Sequence, residues 1–204
     1  MWALLPLKSF DDAKQRLSGV LTPVERSGLF RAMVEDVLKV LQLHPGIENT
    51  LVVSDDPRAR LLAFEYGAEF LAESTLNVSG LNESIQGAVN ALSQRGIDDV
   101  MIVHCDLPLI TATEVSQLVR AHRAQGAPAL TIAPDDRREG SNCLLCTPAS
   151  SLTYCYGTNS FTKHAAQASL QGMSLQIMTL SGFGCDIDTP QDLKTLFERV
   201  EARN

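Results

Sequence analysis

The chain is 204 residues long, 45% hydrophobic and 20% charged, with 17 Lys and Arg against 24 Asp and Glu and a net charge of −7. That length fits one domain of the usual ~100–200 residues, expected over 1–204, with a core large enough to need no disulfide or metal scaffold. The composition excludes disorder, the acidic balance argues against nucleic acid, and no apolar run approaches the ~20 residues that cross a bilayer.

The opening Met-Trp-Ala-Leu-Leu-Pro-Leu is apolar, but its first cation, Lys8, follows the apolar stretch. A signal peptide has the opposite order, so residues 2–7 are expected to form a strand. A loop with Lys8, Lys14 and Arg16 comes next. Thr22-Pro23-Val24-Glu25 has a capping threonine, proline at the first helical position and glutamate at the third. Phe30, Val34, Val37, Leu38 and Leu41 continue at helical spacing until Pro45-Gly46. Residues 50–54 form a β-branched strand, Asp56-Pro57 opens a helix that Gly67 ends, and 69–71 form a short strand. Residues 72–81 are polar and irregular, and Asn82 is expected to cap a helix over 83–95. Residues 99–105 contain Val-Met-Ile-Val, the continuous apolar run of a central parallel strand. Thr111-Ala112-Thr113-Glu114 is a second capping box, opening a helix to Gln125. A strand over 129–133, a charged loop over 134–142 and a strand over 143–146 follow. Ser160 is expected to cap a helix ended by Gly172, 175–180 form a strand, and Thr189-Pro190-Gln191-Asp192 caps the last helix. This alternation implies a mostly parallel sheet covered on both faces, with ligands outside the carboxyl ends of the strands.

Five cysteines is an odd count in a chain without an export signal, which favours reduced thiols in the cytoplasm. Cys143 and Cys146 form a C-x-x-C, but a zinc site wants a second ligand pair, and His44, His104, His122 and His164 are scattered. On a strand the odd spacing puts the two sulfurs on opposite faces, as small buried apolar groups.

Four groups stand at expected strand ends. Lys8, Lys14 and Arg16 either neutralise a polyphosphate or belong to an ordinary solvated loop; no G-x-x-x-x-G-K-[ST] or G-x-G-x-x-G supports a P-loop or dinucleotide site. Asp106-Leu107-Pro108-Leu109 follows the most apolar strand, where a carboxylate is well placed to hold Mg²⁺ against phosphates. The alternative, a helix-entry turn, is weakened because Thr111 already supplies the cap. Asp186 and Asp188, at i and i+2, point to one side of an extended segment, which is costly unless a cation lies between them. Alternatively Asp188 assists the cap at Thr189. Gly80-Leu81-Asn82 and Gly157-Thr158-Asn159-Ser160 end loops at helix starts, suited to an anion, a base edge or plain capping.

Pro6-x-Lys8, Ala13-Lys14-x-Arg16-Leu17, Glu25-Arg26, Gly80-Leu81-Asn82, Asp106-Leu107-Pro108-Leu109, Gly140-Ser141-Asn142-x-Leu144-Leu145, Gly157-x-x-Ser160-Phe161-x-x-His164 and Asp186-Ile187-Asp188-Thr189-Pro190-x-Asp192-Leu193 occur in that order. Together they resemble the CofC family, the 2-phospho-L-lactate guanylyltransferases of coenzyme F420 biosynthesis. The wider superfamily, with the molybdenum-cofactor guanylyltransferases, shares only the lysine-bearing first loop and the strand-end aspartate. The resemblance implies a single-domain, Rossmann-like nucleotidyltransferase: a three-layer sandwich of the nucleotide-diphospho-sugar transferase type with a mostly parallel mixed sheet. It implies a Mg²⁺-dependent cytoplasmic enzyme joining GMP from GTP to 2-phospho-L-lactate, phosphoenolpyruvate or 3-phospho-D-glycerate, with release of pyrophosphate. Carried over, Lys8, Lys14, Arg16 and Asp106 are catalytic, and with Gly80, Leu81 and Asn82 they hold the nucleotide. Asp106, Asp186 and Asp188 bind metal, and Asn142, Gly157 and Ser160 hold the acid. The expected partners are GTP and the acid, with a homodimer and coupling to the next pathway enzyme left open. Two departures from the family pattern, His104-Cys105 where a small residue is frequent before Asp106 and Thr158-Asn159 in the variable middle of the G-x-x-S, could tune which acid fits. Guanylyl or cytidylyl transfer to molybdopterin or a sugar phosphate needs a larger acceptor pocket, and the segment from Gly157 to His164 argues against it. A nucleotide-binding protein without catalysis is argued against by the full set of carboxylates and cations.

Overall fold

The computed structural model describes residues 1–202; the last two residues of the expected 1–204 domain lie outside it. Its strands are β1 (Trp2–Pro6), β2 (Asn49–Val53), β3 (Glu69–Leu71), β4 (Val100–Val103), β5 (Ala129–Pro134), β6 (Ser141–Thr147) and β7 (Ser174–Ile177). Its helices are α1 (Pro23–Gln42), α2 (Pro57–Glu65), α3 (Leu81–Ser93), α4 (Ala112–Gln125), α5 (Ser160–Leu170), α6 (Ser181–Gly184) and α7 (Pro190–Glu201).

Where local chemistry defines a helix start, the expected caps form. Thr22 accepts from the Glu25 N–H at 3.3 Å while Glu25 accepts from the Thr22 N–H at 2.8 Å. Thr189 and Asp192 repeat this reciprocal pairing, and Thr111 accepts from the Glu114 N–H at 3.2 Å. Two expected caps are wrong. Gly80 occupies the cap position of α3 with φ 108°, and Asn82 lies inside the first turn. Its amide bonds instead to the backbone of Tyr156, far along the chain. Asn159, with φ 56°, occupies the cap position of α5, and Ser160 is its first residue. The strand expected over 175–180 ends at Ile177, because the chain turns into the short α6, which the sequence reading missed. The strand expected over 143–146 extends to Ser141–Thr147, shortening the expected 134–142 loop. Residues 72–81 hold a 3-10 turn at Glu73–Leu76.

The sheet order is β3-β2-β1-β4-β6-β5-β7. β6 runs antiparallel to β4 and β5, and every other pairing is parallel. Alternate residues of the central strands face two cores. Leu5, Met101, Val103, Cys143 and Leu145 pack with α1, α2 and α4; Leu4, Ile102, Leu144 and Cys146 pack with α3 and α5. Cys143 and Cys146 therefore lie on opposite faces, as their spacing requires. Burial raises both thiols, Cys146 to about 12. Because β6 is antiparallel, its first residues stand at the same sheet edge as the carboxyl ends of β1 and β4, and that edge carries the site.

Candidate active site

β4 ends at Val103, and its continuation His104-Cys105-Asp106 is locked to the start of β6 by the His104 N–H donating to the Asn142 carbonyl at 3.0 Å. The Asp106 carbonyl then accepts from the Ile187 N–H at 3.2 Å, which docks the 186–188 segment beside it. The loop after β1 comes over both. Lys14 adopts φ 55°, a conformation most side chains avoid, and this aims its buried side chain inward. Its Nζ donates to Asp106 Oδ2 at 2.7 Å and to Asp188 Oδ1 at 2.8 Å, and lies 6.0 Å from the Phe30 ring centroid.

The electrostatics follow from this packing. Burial alone would lower the Lys14 pKa, but the two carboxylates outweigh it and the net shift is upward. Burial alone would raise Asp106, yet the Lys14 ammonium holds it below the usual carboxylate range. Asp186 differs. Burial pushes it up to about 6, the Asn142 amide opposes this, and the negative charges of Asp106 and Asp188 add to it. The Asn142 Nδ2 group donates to Asp186 Oδ1 at 3.1 Å and to the Phe183 carbonyl at 2.8 Å. Cys105, also at the site, is raised well above its usual range by burial, so it is a thiol and not a nucleophile.

Two clefts open at this edge. The first, of about 340 Å³, is lined by Lys8, Lys14, Arg16, Leu81, His104 and Asp106 among others. The second, of about 640 Å³, is lined by Gly157, Thr158, Asn159, Asp186 and Asp192 among others. Arg16 and Asp188 line both and form the divide; the Arg16 side chain is 76% exposed, with Nη1 3.9 Å from Asp188 Oδ2.

The chain matches the family described as "Guanylyl transferase CofC like" over residues 1–203. It belongs to that family. A CofC-like relative from Sphaerobacter thermophilus, named phosphoenolpyruvate guanylyltransferase, is 34% identical over 194 residues, which cover 95% of this chain and 91% of that one. The 2-phospho-L-lactate guanylyltransferase of Methanothermobacter thermautotrophicus is 33% identical over 94% of this chain and 81% of its own. Among solved structures, a Desulfovibrio desulfuricans G20 protein assigned as a nucleotide-diphospho-sugar transferase superposes with a TM-score of 0.76 at 16% identity, covering 97% of this chain and 86% of that one. A Leptospira borgpetersenii cytidylyltransferase gives a TM-score of 0.62 at 15% identity, covering 96% and 84%. The fold is thus that of the nucleotidyltransferases, and this CofC-like chain is a guanylyltransferase. No helix among the described residues is long and apolar enough to cross a membrane.

The structure brings Lys8, Lys14, Arg16, Leu81, Asp106 and Asp188 to one cleft, and Asp186 and Gly157 to its neighbour. Three expected contacts sit behind the walls instead. Asn82 Oδ1 accepts from the Tyr156 N–H at 2.6 Å and its Nδ2 donates to the Tyr156 carbonyl at 3.2 Å, so its amide clasps the 155–160 loop. Ser160 is buried and accepts from the Ser141 N–H at 3.0 Å. Asn142 is buried behind Asp186. The same loop is fastened by His164, whose Nε2 accepts from the Cys155 N–H at 2.9 Å while Nδ1 contacts Ser141 Oγ at 2.9 Å. That bond fixes the proton on Nδ1. Sequence reading missed Phe30 as part of the first cleft, because nothing local distinguishes it from a core aromatic.

Proposed function

We propose that the chain transfers the guanylyl group of GTP to the phosphate of a three-carbon acid, with the triphosphate in the first cleft and the acid in the second. One observation carries this placement: Arg16 and Asp188 line both clefts, so groups bound in each meet at a single divide. The names of the relatives support phosphoenolpyruvate or 2-phospho-L-lactate as the acid, with 3-phospho-D-glycerate as the third candidate. This assigns the reaction to coenzyme F420 biosynthesis.

The acid's phosphate oxygen attacks the α-phosphorus. The new O–P bond forms as the bond to the β-phosphate oxygen breaks, and pyrophosphate leaves in line. The attacking oxygen is already ionised, so no general base is needed, and the protein supplies position and charge. Lys8 and Arg16, both exposed at the first cleft, neutralise the triphosphate tail. Lys14 holds Asp106 and Asp188 together and shares their charge. Gly157, at φ 108° with open space where a side chain would stand, lets the backbone approach the acid closely. Asn142 fixes Asp186, and Ser160, Asn82 and His164 hold the loop that carries Gly157.

The residues fit a divalent cation. Asp106 Oδ1 is buried without a hydrogen-bond partner, and Asp186 is a half-buried carboxyl raised by burial, to which the charges of Asp106 and Asp188 add. Among the described residues no three His, Cys, Asp or Glu side chains form a ready-made cage. Mg²⁺ does not require one, since it binds through one or two carboxylates and completes its shell with water and substrate phosphates. Asp106 together with Asp186 or Asp188 would suffice to hold Mg²⁺, which would offset the repulsion between attacking and α-phosphates. A single copy carries every residue named here. Pyrophosphate release from GTP and Mg²⁺ with each of the three acids, with and without an enzyme that consumes the product, tests the assignment. Release that depends on one of these acids is expected; GTP binding without release, whatever the acid, refutes it.

A further inference from the structure

A small cleft of about 150 Å³ lies between the end of β1, the 3-10 turn at Glu73–Leu76 and the start of α3. Pro6, Val53 and Leu81 give it apolar walls, and its polar lining comes from Lys8, Glu73 and Ser84. Pro6, Lys8 and Leu81 also line the first cleft, so the two spaces adjoin. An apolar slot opening beside phosphate-binding cations has the character of a nucleobase pocket, and its one carboxylate is deliberately held. The Glu73 N–H donates to the Ser54 carbonyl at 3.3 Å, tying the turn to the end of β2. The buried Ser84 hydroxyl donates to Glu73 Oε1 and lies 2.8 Å from the Gly80 carbonyl.

We propose that Glu73 selects guanine, its carboxylate accepting the adjacent N1–H and N2–H of the base. An ionised carboxylate only accepts. Guanine presents two neighbouring donors on its pairing edge. Adenine and cytosine each present one donor beside a ring-nitrogen lone pair that a carboxylate repels. Uracil presents one donor between two carbonyl oxygens. Guanine alone satisfies both carboxylate oxygens. Lys8 at the mouth offsets the charge of Glu73 against the approaching triphosphate. This rests on the placement of the triphosphate along Lys8 in the first cleft.

The test is kcat/KM for GTP, inosine triphosphate and ATP, at saturating acid and Mg²⁺, in wild type, Glu73→Gln, Glu73→Ala and Lys8→Ala. Inosine triphosphate lacks only the N2 amine. Wild type is expected to prefer GTP over it by about 10- to 100-fold, one hydrogen bond to a charged group. Both Glu73 variants are expected to lose that preference, their ratio falling toward one. Glu73→Gln is also expected to gain on ATP relative to wild type, since its amide can accept from N6 and donate to N1. A GTP-to-inosine-triphosphate ratio unchanged in both Glu73 variants overturns the proposal, because a merely structural Glu73 would depress both nucleotides alike. Lys8→Ala is expected to raise KM for both equally. If that variant leaves both KM values unchanged, the nucleotide lies elsewhere and the proposal falls with its placement. If Lys8→Ala raises both while the Glu73 variants keep the ratio, only the role of Glu73 falls.

Discussion

Lys14 and Lys8 are cations of the same loop with different surroundings. Lys14 is buried between Asp106 and Asp188, whereas Lys8 is exposed and has no carboxylate partner among the described residues. Removing a buried partner strands charge, and breaking such a pair is strongly destabilising. Lys14→Met is therefore expected to lower both turnover and unfolding free energy, the latter by about 3 kcal/mol. Lys8→Ala is expected to raise the GTP KM while changing stability by no more than about 0.5 kcal/mol. Denaturant unfolding beside steady-state kinetics separates the two, and equal stability of both variants would show that Lys14 is not a structural pivot. Asp106→Asn is expected to cost at least ~10²-fold in kcat, the scale of losing one preorganised electrostatic group, while Lys14 keeps its bond to Asp188. A near wild-type rate at saturating Mg²⁺ would remove Asp106 from the reaction.

Two elements hold the acceptor side. The 155–160 loop depends on His164, which burial and nearby positive charge depress to about 4. A histidine whose folded pKa is lowered contributes stability that is complete above its ordinary value near 6.5 and is lost as pH falls toward 4. The loss is expected to be on the order of 3 kcal/mol across that window and smaller in His164→Gln. Unfolding at pH 7 and pH 4.5 checks this; the same pH dependence in both proteins would contradict it. The 186–188 segment depends on α6, where a Cβ on Gly182 would run into the Glu114 carboxylate and the Leu109 carbonyl. Gly182→Ala is expected to displace that segment and reduce turnover, and wild-type kinetics in that variant would show that it tolerates movement. Caps built within one turn, as at Thr22 and Thr189, were legible in the sequence because all partners lie within three residues. Asn82 and Ser160 were not, because they bond to Tyr156 and Ser141 across the fold. A short polar side chain near a helix start reads as a cap until tertiary structure supplies a better partner.

Across the whole molecule, the alternating pattern was enough to expect a parallel sheet, and it did not reveal that β6 is antiparallel. That reversal brings Asn142 and Asp186 to the same edge as Lys8 and Asp106. The two clefts are unequal in charge: Lys8, Lys14 and Arg16 line the first, which suits a polyphosphate despite the net charge of −7, whereas six Asp and Glu carboxylates line the second against Arg16 and Arg137. The cations are gathered at one cleft, and the carboxylates at the divide are the groups that fit a metal. Separate clefts for nucleotide and acid are tested most directly by a KM comparison between Gly157→Val and Lys8→Ala, with pyrophosphate release as the readout. The expected result is a raised acid KM with unchanged GTP KM in Gly157→Val, and the reverse in Lys8→Ala. If Gly157→Val alters the GTP KM alone, the segment belongs to the nucleotide site and the two-cleft arrangement is contradicted.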